Sequence, residues 1–93
     1  MTEELRTPDT RLAKSYIWHG SQCYFVSTIN RESSAALAYG HRYAETMVFL
    51  FNWDKNEKTD IVHQGEGPEH SIQTHLRICQ KLHEKGLRGL KDE

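Results

Sequence analysis

Residues 14–29 read Lys-Ser-Tyr-Ile-Trp-His-Gly-Ser-Gln-Cys-Tyr-Phe-Val-Ser-Thr-Ile, the clearest hairpin pattern in the chain. Two segments rich in aromatic and β-branched residues, 14–19 and 22–29, flank Gly20-Ser21. Such segments favour strands. Glycine at the first central position of a two-residue loop supplies the positive φ of a type II′ turn. The stretch therefore predicts a β-hairpin.

The two-residue loop also predicts the register of the hairpin, with His19 opposite Gln22 and Trp18 opposite Cys23. Directly opposed residues share a sheet face. One face collects Tyr16, Trp18, Cys23, Phe25, Ser27 and Ile29. The other face collects Ile17, His19, Tyr24, Val26 and Thr28. The first face is more apolar, so we predict that it lies against the core.

A second hairpin follows a connection at residues 30–40. Residues 42–53 alternate as a strand but are apolar on both faces through the middle. Residues 54–58 form a polar turn in which Asn56 is suited to a left-handed conformation. Residues 59–64 return as a shorter strand, and Gly65-Glu66-Gly67-Pro68 ends it.

Residues 68–85 have helical spacing, and Gly86 is placed to stop the helix. The predicted inward arc comprises Ile72, Leu76, Ile78, Cys79 and Leu82, joined by His75 and His83. The element order ββββα predicts an α+β fold: a small antiparallel four-stranded meander with one C-terminal amphipathic helix packed on one sheet face. Residues 14–86 form this single domain, residues 1–13 a flexible lead-in, and residues 87–93 a frayed tail.

Composition excludes several classes of protein. The chain has 93 residues with 12 Lys plus Arg and 13 Asp plus Glu, a net charge of −1. The longest apolar run, residues 47–51, is far shorter than the about 20 residues of a membrane span. The first residues are acidic and lack an apolar signal region, which predicts a cytoplasmic protein with reduced cysteines. Binding to nucleic acid would require a local basic patch.

The doubly apolar strand predicts self-association. One helix covers one sheet face only, and an uncovered row of large apolar groups is an association site. Two-fold dimers are the commonest closed assembly. We therefore predict a non-enzymatic interaction module, a homodimer that also binds an unidentified protein partner. Its predicted interface residues are Met47, Phe49, Phe51 and Trp53.

Nucleic-acid binding or RNA processing is the alternative. Cationic and aromatic residues cluster around the connection before the long strand, namely Arg31, His41, Arg42 and Tyr43. Arginine, histidine and tyrosine provide phosphate contacts and proton transfer. A basic stripe of Arg77, Lys81 and Lys85 follows the helix and is either a binding surface or a solvated face.

His75, Cys79 and His83 recur at intervals of four on the helix. Neighbours four apart can share a zinc ion, but the outer pair is separated by about 12 Å along the axis. Neither cysteine lies in a paired motif or beside an activating signature. We therefore predict no metal ion, no cofactor and no catalytic residue.

Overall fold

A computed structural model describes residues 10–31, 43–67 and 72–93. Four antiparallel strands form one sheet in the order β1-β2-β3-β4, followed by a helix that packs on it. The predicted α+β meander is therefore confirmed. The elements are β1 (Thr10–His19), β2 (Gln22–Arg31), β3 (Tyr43–Asn52), β4 (Glu57–Gly67), α1 (Ile72–Lys85) and a 3₁₀ helix (Gly86–Leu90).

The first hairpin has the predicted turn and register. Gly20 has φ +60°, the conformation for which glycine was expected there. His19 lies opposite Gln22, and Trp18 lies opposite Cys23. β1 begins at Thr10 rather than at residue 14, and a register shift between Arg11 and Ala13 accommodates Leu12.

The turn between β3 and β4 also follows the prediction. Asn56 has φ +52°, and the Asn52 side-chain oxygen accepts a hydrogen bond from the Lys55 backbone N–H at 3.0 Å. β4 is longer than predicted and continues to Gly67, which pairs with Ala44. The pairing of β4 with β3 thus continues through residues 65–67, where the glycines had predicted the end of the strand.

The helix packs on the face opposite to the one we predicted as the core side. Its core cluster comprises Tyr24, Val26, Val48, Ile78, Cys79, Leu82 and Leu90. The strand residues beneath α1 include Val26, Thr28, Thr46 and Val48, all fully buried. These small β-branched side chains allow a helix to approach closely, whereas the other face carries mainly large rings. Total apolarity was therefore the wrong criterion for choosing the face.

The inward arc of α1 is rotated relative to the prediction. Its buried residues are Thr74, His75, Ile78, Cys79 and Leu82. Ile72 and Leu76 are 52% and 59% exposed, although both were expected to face the sheet. Within the described residues, no helix is long and apolar enough to cross a membrane.

The C-terminal residues, predicted as a frayed tail, lie against the helix in the structure. Gly86 ends α1 with φ +65°, as predicted, and the following 3₁₀ helix places Leu90 in the core. Arg77 and Lys81 pair with the Glu93 carboxylate at 2.8 and 2.5 Å. These ion pairs join the end of the chain to the middle of the helix.

Candidate binding site on the open sheet face

The sheet face opposite α1 carries a continuous cluster of rings, which we call the aromatic face. It comprises Tyr16, Trp18, Phe25, Phe49, Phe51 and Trp53. The Tyr16 ring centroid lies 4.9 Å from that of Phe51 and 5.7 Å from that of Trp53. Because α1 packs on the other side, no secondary-structure element among the described residues covers this face.

The rings lie in two layers. Phe25 and Phe51 are buried beside the thiol of Cys23. Tyr16 and Trp18 are each 42% exposed, and Trp53 is 54% exposed. The lower layer therefore holds the strands together, while the rings of the upper layer remain exposed.

Cations flank these rings. Lys58 Nζ lies 5.3 Å from the Phe25 ring centroid and 4.9 Å from that of Phe49. The Arg11 guanidinium lies 5.9 Å from the Phe25 centroid. Positive charge above a ring face is attracted to the ring quadrupole, which keeps both cations on the aromatic face.

A groove of about 260 Å³ lies between these cations and the rings, and we call it the cationic groove. It is lined by Arg11, Lys14, Tyr16, Phe25, Phe51, Asn56 and Lys58. No acidic side chain occurs among these lining residues. The described carboxylate of Glu45, which opposes Ile29 on the same face, is buried and accepts a hydrogen bond from Gln64 at 3.0 Å.

A second cavity of about 350 Å³ lies at the end of the sheet where both turns meet, and we call it the turn-end pocket. It is lined by Trp18, Ser21, Gln22, Cys23, Leu50, Phe51, Asn52, Trp53, Asp54 and Thr59. Among these residues Asp54 alone is charged. Phe51 lines both cavities, so they are neighbours.

The structure places the predicted interface residues together on one face. Phe49, Phe51 and Trp53 belong to the aromatic face, and Met47 lies on the same side of β3, opposite Ser27. Phe51 is largely buried within the chain, whereas Trp53 is the most exposed ring of the cluster. Trp53 is therefore the predicted interface residue with most surface to offer.

The proposed nucleic-acid cluster is described only in part. Arg31 ends β2 and pairs through its backbone with Tyr43, the first residue of β3. His41 and Arg42 lie outside the described residues. The two described members, Arg31 and Tyr43, thus lie at the end of the β2–β3 pair opposite to the turn end.

The basic helix stripe is engaged within the chain. Arg77 and Lys81 pair with carboxylates at the C-terminus, and hydrogen bonds to Glu93 are the main cause that raises the pKa of each. The same pairs lower the pKa of Glu93 to about 2. Lys85, the third member, is exposed at the end of α1.

His75 belongs to a buried network rather than to an open site. Its Nε2 lies 2.8 Å from Ser15 Oγ, and its Nδ1 lies 2.9 Å from Thr28 Oγ1, which in turn lies 2.8 Å from Thr46 Oγ1. His75 is only 1% exposed, and burial lowers its pKa. The Ser15–His75 pair resembles a nucleophile and its base in distance, but its burial makes it a link between α1 and three strands.

Cys79 and His83 are the other two candidate metal ligands on α1. Cys79 is buried, and His83 is hydrogen-bonded to the backbone of β1. Burial raises the pKa of the Cys79 thiol, with the Ser15 hydroxyl acting in the opposite direction. His83 Nδ1 lies 3.1 Å from the Trp18 carbonyl oxygen. In the three described ranges no group of three or more histidine, cysteine or acidic residues is arranged to hold a metal ion.

Sequence reasoning missed the cations of the groove. Arg11 was assigned to the lead-in, and Lys58 to a polar turn. The hairpin register did carry a signal for Lys14, because it places this residue on the same face as Tyr16 and Trp18. Lys58 required the register of β3 with β4, which contains two irregularities.

Comparison with models of known protein families, with curated proteins and with solved structures gives no match to this chain. Function is therefore inferred from the geometry of this chain alone.

Proposed function

We propose that this protein is a non-enzymatic binding module that holds single-stranded nucleic acid on its aromatic face. One observation carries the proposal: three cations, Arg11, Lys14 and Lys58, line a groove beside the exposed ring of Tyr16, and no lining residue of this groove is acidic. Proteins that bind single strands combine positive charge along the backbone path with rings on which bases stack.

The net negative charge of the chain does not exclude nucleic-acid binding, because the cationic groove is locally positive. A chain with a charge of −1 has no general attraction for phosphates, so it needs a local patch. The groove supplies such a patch beside Tyr16, Trp18 and Trp53. A single strand offers a partner for both features of this surface, namely phosphates for the cations and flat bases that stack on the rings.

Charge also argues against a second copy of the chain as the occupant. A two-fold contact centred on the groove brings the same three cations together from both copies. Like charges facing each other destabilise an interface. An anionic strand meets no such repulsion.

The first experiment measures fluorescence anisotropy with labelled octamers of deoxythymidine and of uridine at low salt. We expect binding whose logarithmic salt slope is about −2, from three contacts of about −0.7 each. Lys58→Met should weaken binding and reduce the slope by about 0.7, because it removes the charge but keeps an apolar stem over the rings. Lys85→Met is the matched control on α1 and should bind like the natural chain.

Stacking is tested separately with Trp53→Ala. We expect a loss of about 1–3 kcal/mol in binding free energy, with little change in the unfolding free energy because this ring is half exposed. Absence of binding to both octamers at low salt would overturn the proposal. Binding that is lost in Lys85→Met and kept in Lys58→Met would assign it to the helix stripe instead.

Self-association through the same face is the second candidate, and the exposure of Trp53 and Ile61 favours it. Sedimentation velocity on the unliganded protein distinguishes the two candidates. A dimer that becomes monomeric in Trp53→Ser and does not bind either octamer would establish the homodimer as the function of this face. We keep the prediction of a cytoplasmic location, with which the free thiols Cys23 and Cys79 are consistent.

A further inference from the structure

The turn-end pocket offers hydrogen-bonding side chains, which neither base stacking nor phosphate contacts require. Its walls are the rings of Trp18, Phe51 and Trp53, and its one charged lining residue is Asp54. The cationic groove shares Phe51 with this pocket as a lining residue. The cationic groove is thus lined by three cations and the turn-end pocket by one carboxylate, and Phe51 lines both.

This distribution of charge favours one orientation of a bound nucleotide. The Asp54 carboxylate repels phosphates, whereas Arg11 and Lys58 attract them. A strand that crosses Phe51 is therefore stabilised when its phosphates lie in the cationic groove. The base of one nucleotide then reaches the turn-end pocket.

The polar side chains of the turn-end pocket provide hydrogen-bond donors and acceptors. The Gln22 side-chain NH₂ donates to the Cys23 carbonyl oxygen at 2.7 Å, which leaves the Gln22 side-chain oxygen as an acceptor. The Asn52 oxygen accepts from the Lys55 backbone N–H at 3.0 Å, so its amide NH₂ is the donor for a ligand. Together with Asp54, the pocket offers acceptors for two or more donors and a donor for one carbonyl.

We propose, resting on the function proposed above, that the turn-end pocket selects guanine in a single strand. Guanine presents two adjacent donors, N1–H and the N2 amino group, to the Asp54 carboxylate, and its O6 accepts from Asn52. Thymine and uracil present one donor between two carbonyl oxygens, which a carboxylate repels. Adenine and cytosine present a single amino group on this edge. Proteins recognise the unstacked bases of single strands through hydrogen bonds to these edges.

The test compares three deoxythymidine octamers by fluorescence anisotropy at low salt: the homopolymer, one with a single guanine, and one with a single hypoxanthine at the same position. Hypoxanthine lacks the N2 amino group and is otherwise guanine. We expect the guanine octamer to bind about fivefold to tenfold more tightly than the homopolymer, the low end for a bidentate contact because the pocket is open. The hypoxanthine octamer should fall between them.

Asp54→Asn should bring the ratio of guanine to homopolymer affinity towards one, because it removes the charged acceptor. Asp60→Asn is the matched control: Asp60 is exposed and lines neither cavity, so the ratio should not change. Unfolding curves of both variants verify that each is folded.

The outcomes separate the two proposals. If none of the octamers binds, the function proposed for the aromatic face fails. If all three bind equally, nucleic-acid binding holds and guanine selection is overturned. Selection is also overturned if guanine is preferred equally by the natural chain and by Asp54→Asn.

Discussion

The two faces of one sheet are built from alternate residues of the same strands, yet they behave differently. The centre of the face beneath α1 consists of small β-branched and hydroxyl side chains that are completely buried, Val26, Thr28, Thr46 and Val48. The aromatic face consists of large rings, three of which remain half exposed. Close packing of small groups supports a fold, whereas large rings with partial exposure support binding. Substitutions at matched positions on the two faces test this division.

The largest effect is expected at adjacent residues of β3. Val48→Asp introduces a carboxylate beneath α1, where an unpaired charge costs several kcal/mol, comparable with the whole stability of a small domain. Phe49→Asp places the same group on the aromatic face beside Lys58 and should cost about 1–2 kcal/mol. Urea unfolding followed by circular dichroism should show a cooperative transition only for Phe49→Asp. Loss of the transition in both variants would contradict the division.

Two leucines of α1 provide the next comparison. Leu82 is fully buried against the sheet, so Leu82→Ala should cost about 2–4 kcal/mol. Leu76 lies six positions earlier and is mostly exposed, so Leu76→Ala should change the unfolding free energy by less than about 0.5 kcal/mol. Equal losses in urea midpoints would mean that the Leu76 flank is covered in solution.

The polar network beneath the helix predicts a pH effect. Burial lowers the pKa of His75 in the folded chain, so the unfolded chain binds a proton first as the pH falls below about 6.5. Stability is therefore full above this pH and is lost as the pH falls towards the folded-state pKa, with a slope of at most about 1.4 kcal/mol per pH unit.

His75→Gln is the variant that tests this effect. It is expected to be less stable than the natural chain at pH 7.5 because it disrupts the contacts with Ser15 and Thr28. Its urea midpoint should depend less on pH between 7.5 and 5. An unchanged pH dependence in this variant would assign the effect to other histidines.

The smallest effect is expected at the C-terminal ion pairs. Hydrogen bonds from Arg77 and Lys81 lower the pKa of Glu93 to about 2, from an ordinary value of 4.5. The contribution of these ion pairs to the unfolding free energy is thus present above pH 4.5 and is lost as the pH falls towards 2. Glu93→Gln should lower Tm by about 2–4 °C at neutral pH. The difference from the natural chain should shrink in thermal unfolding below pH 4.

Local chemistry made the hairpins predictable. Gly20 and Asn56 adopt the left-handed conformations that their residue types indicate, and the two-residue loop determines which residues of β1 and β2 face each other. The element order, the strand directions and the composition of both faces follow from this local information.

The choice of face and the site required information that lies far apart in the sequence. Apolar residues occur on both faces, so pattern alone did not identify the side on which α1 packs. The cationic groove joins Arg11 to Lys58 across 47 positions. The position of the C-terminal residues involves the pairing of Glu93 with Arg77, which helical periodicity does not reveal.

Both tryptophans of the chain, Trp18 and Trp53, lie on the aromatic face, and neither belongs to the cluster beneath α1. Their near-ultraviolet emission therefore responds to the solvent on one side of the sheet only. A ligand that covers this side should shift the emission to shorter wavelength while the far-ultraviolet spectrum of the backbone stays constant. The protein thus carries its own optical probe at the surface where we expect it to work.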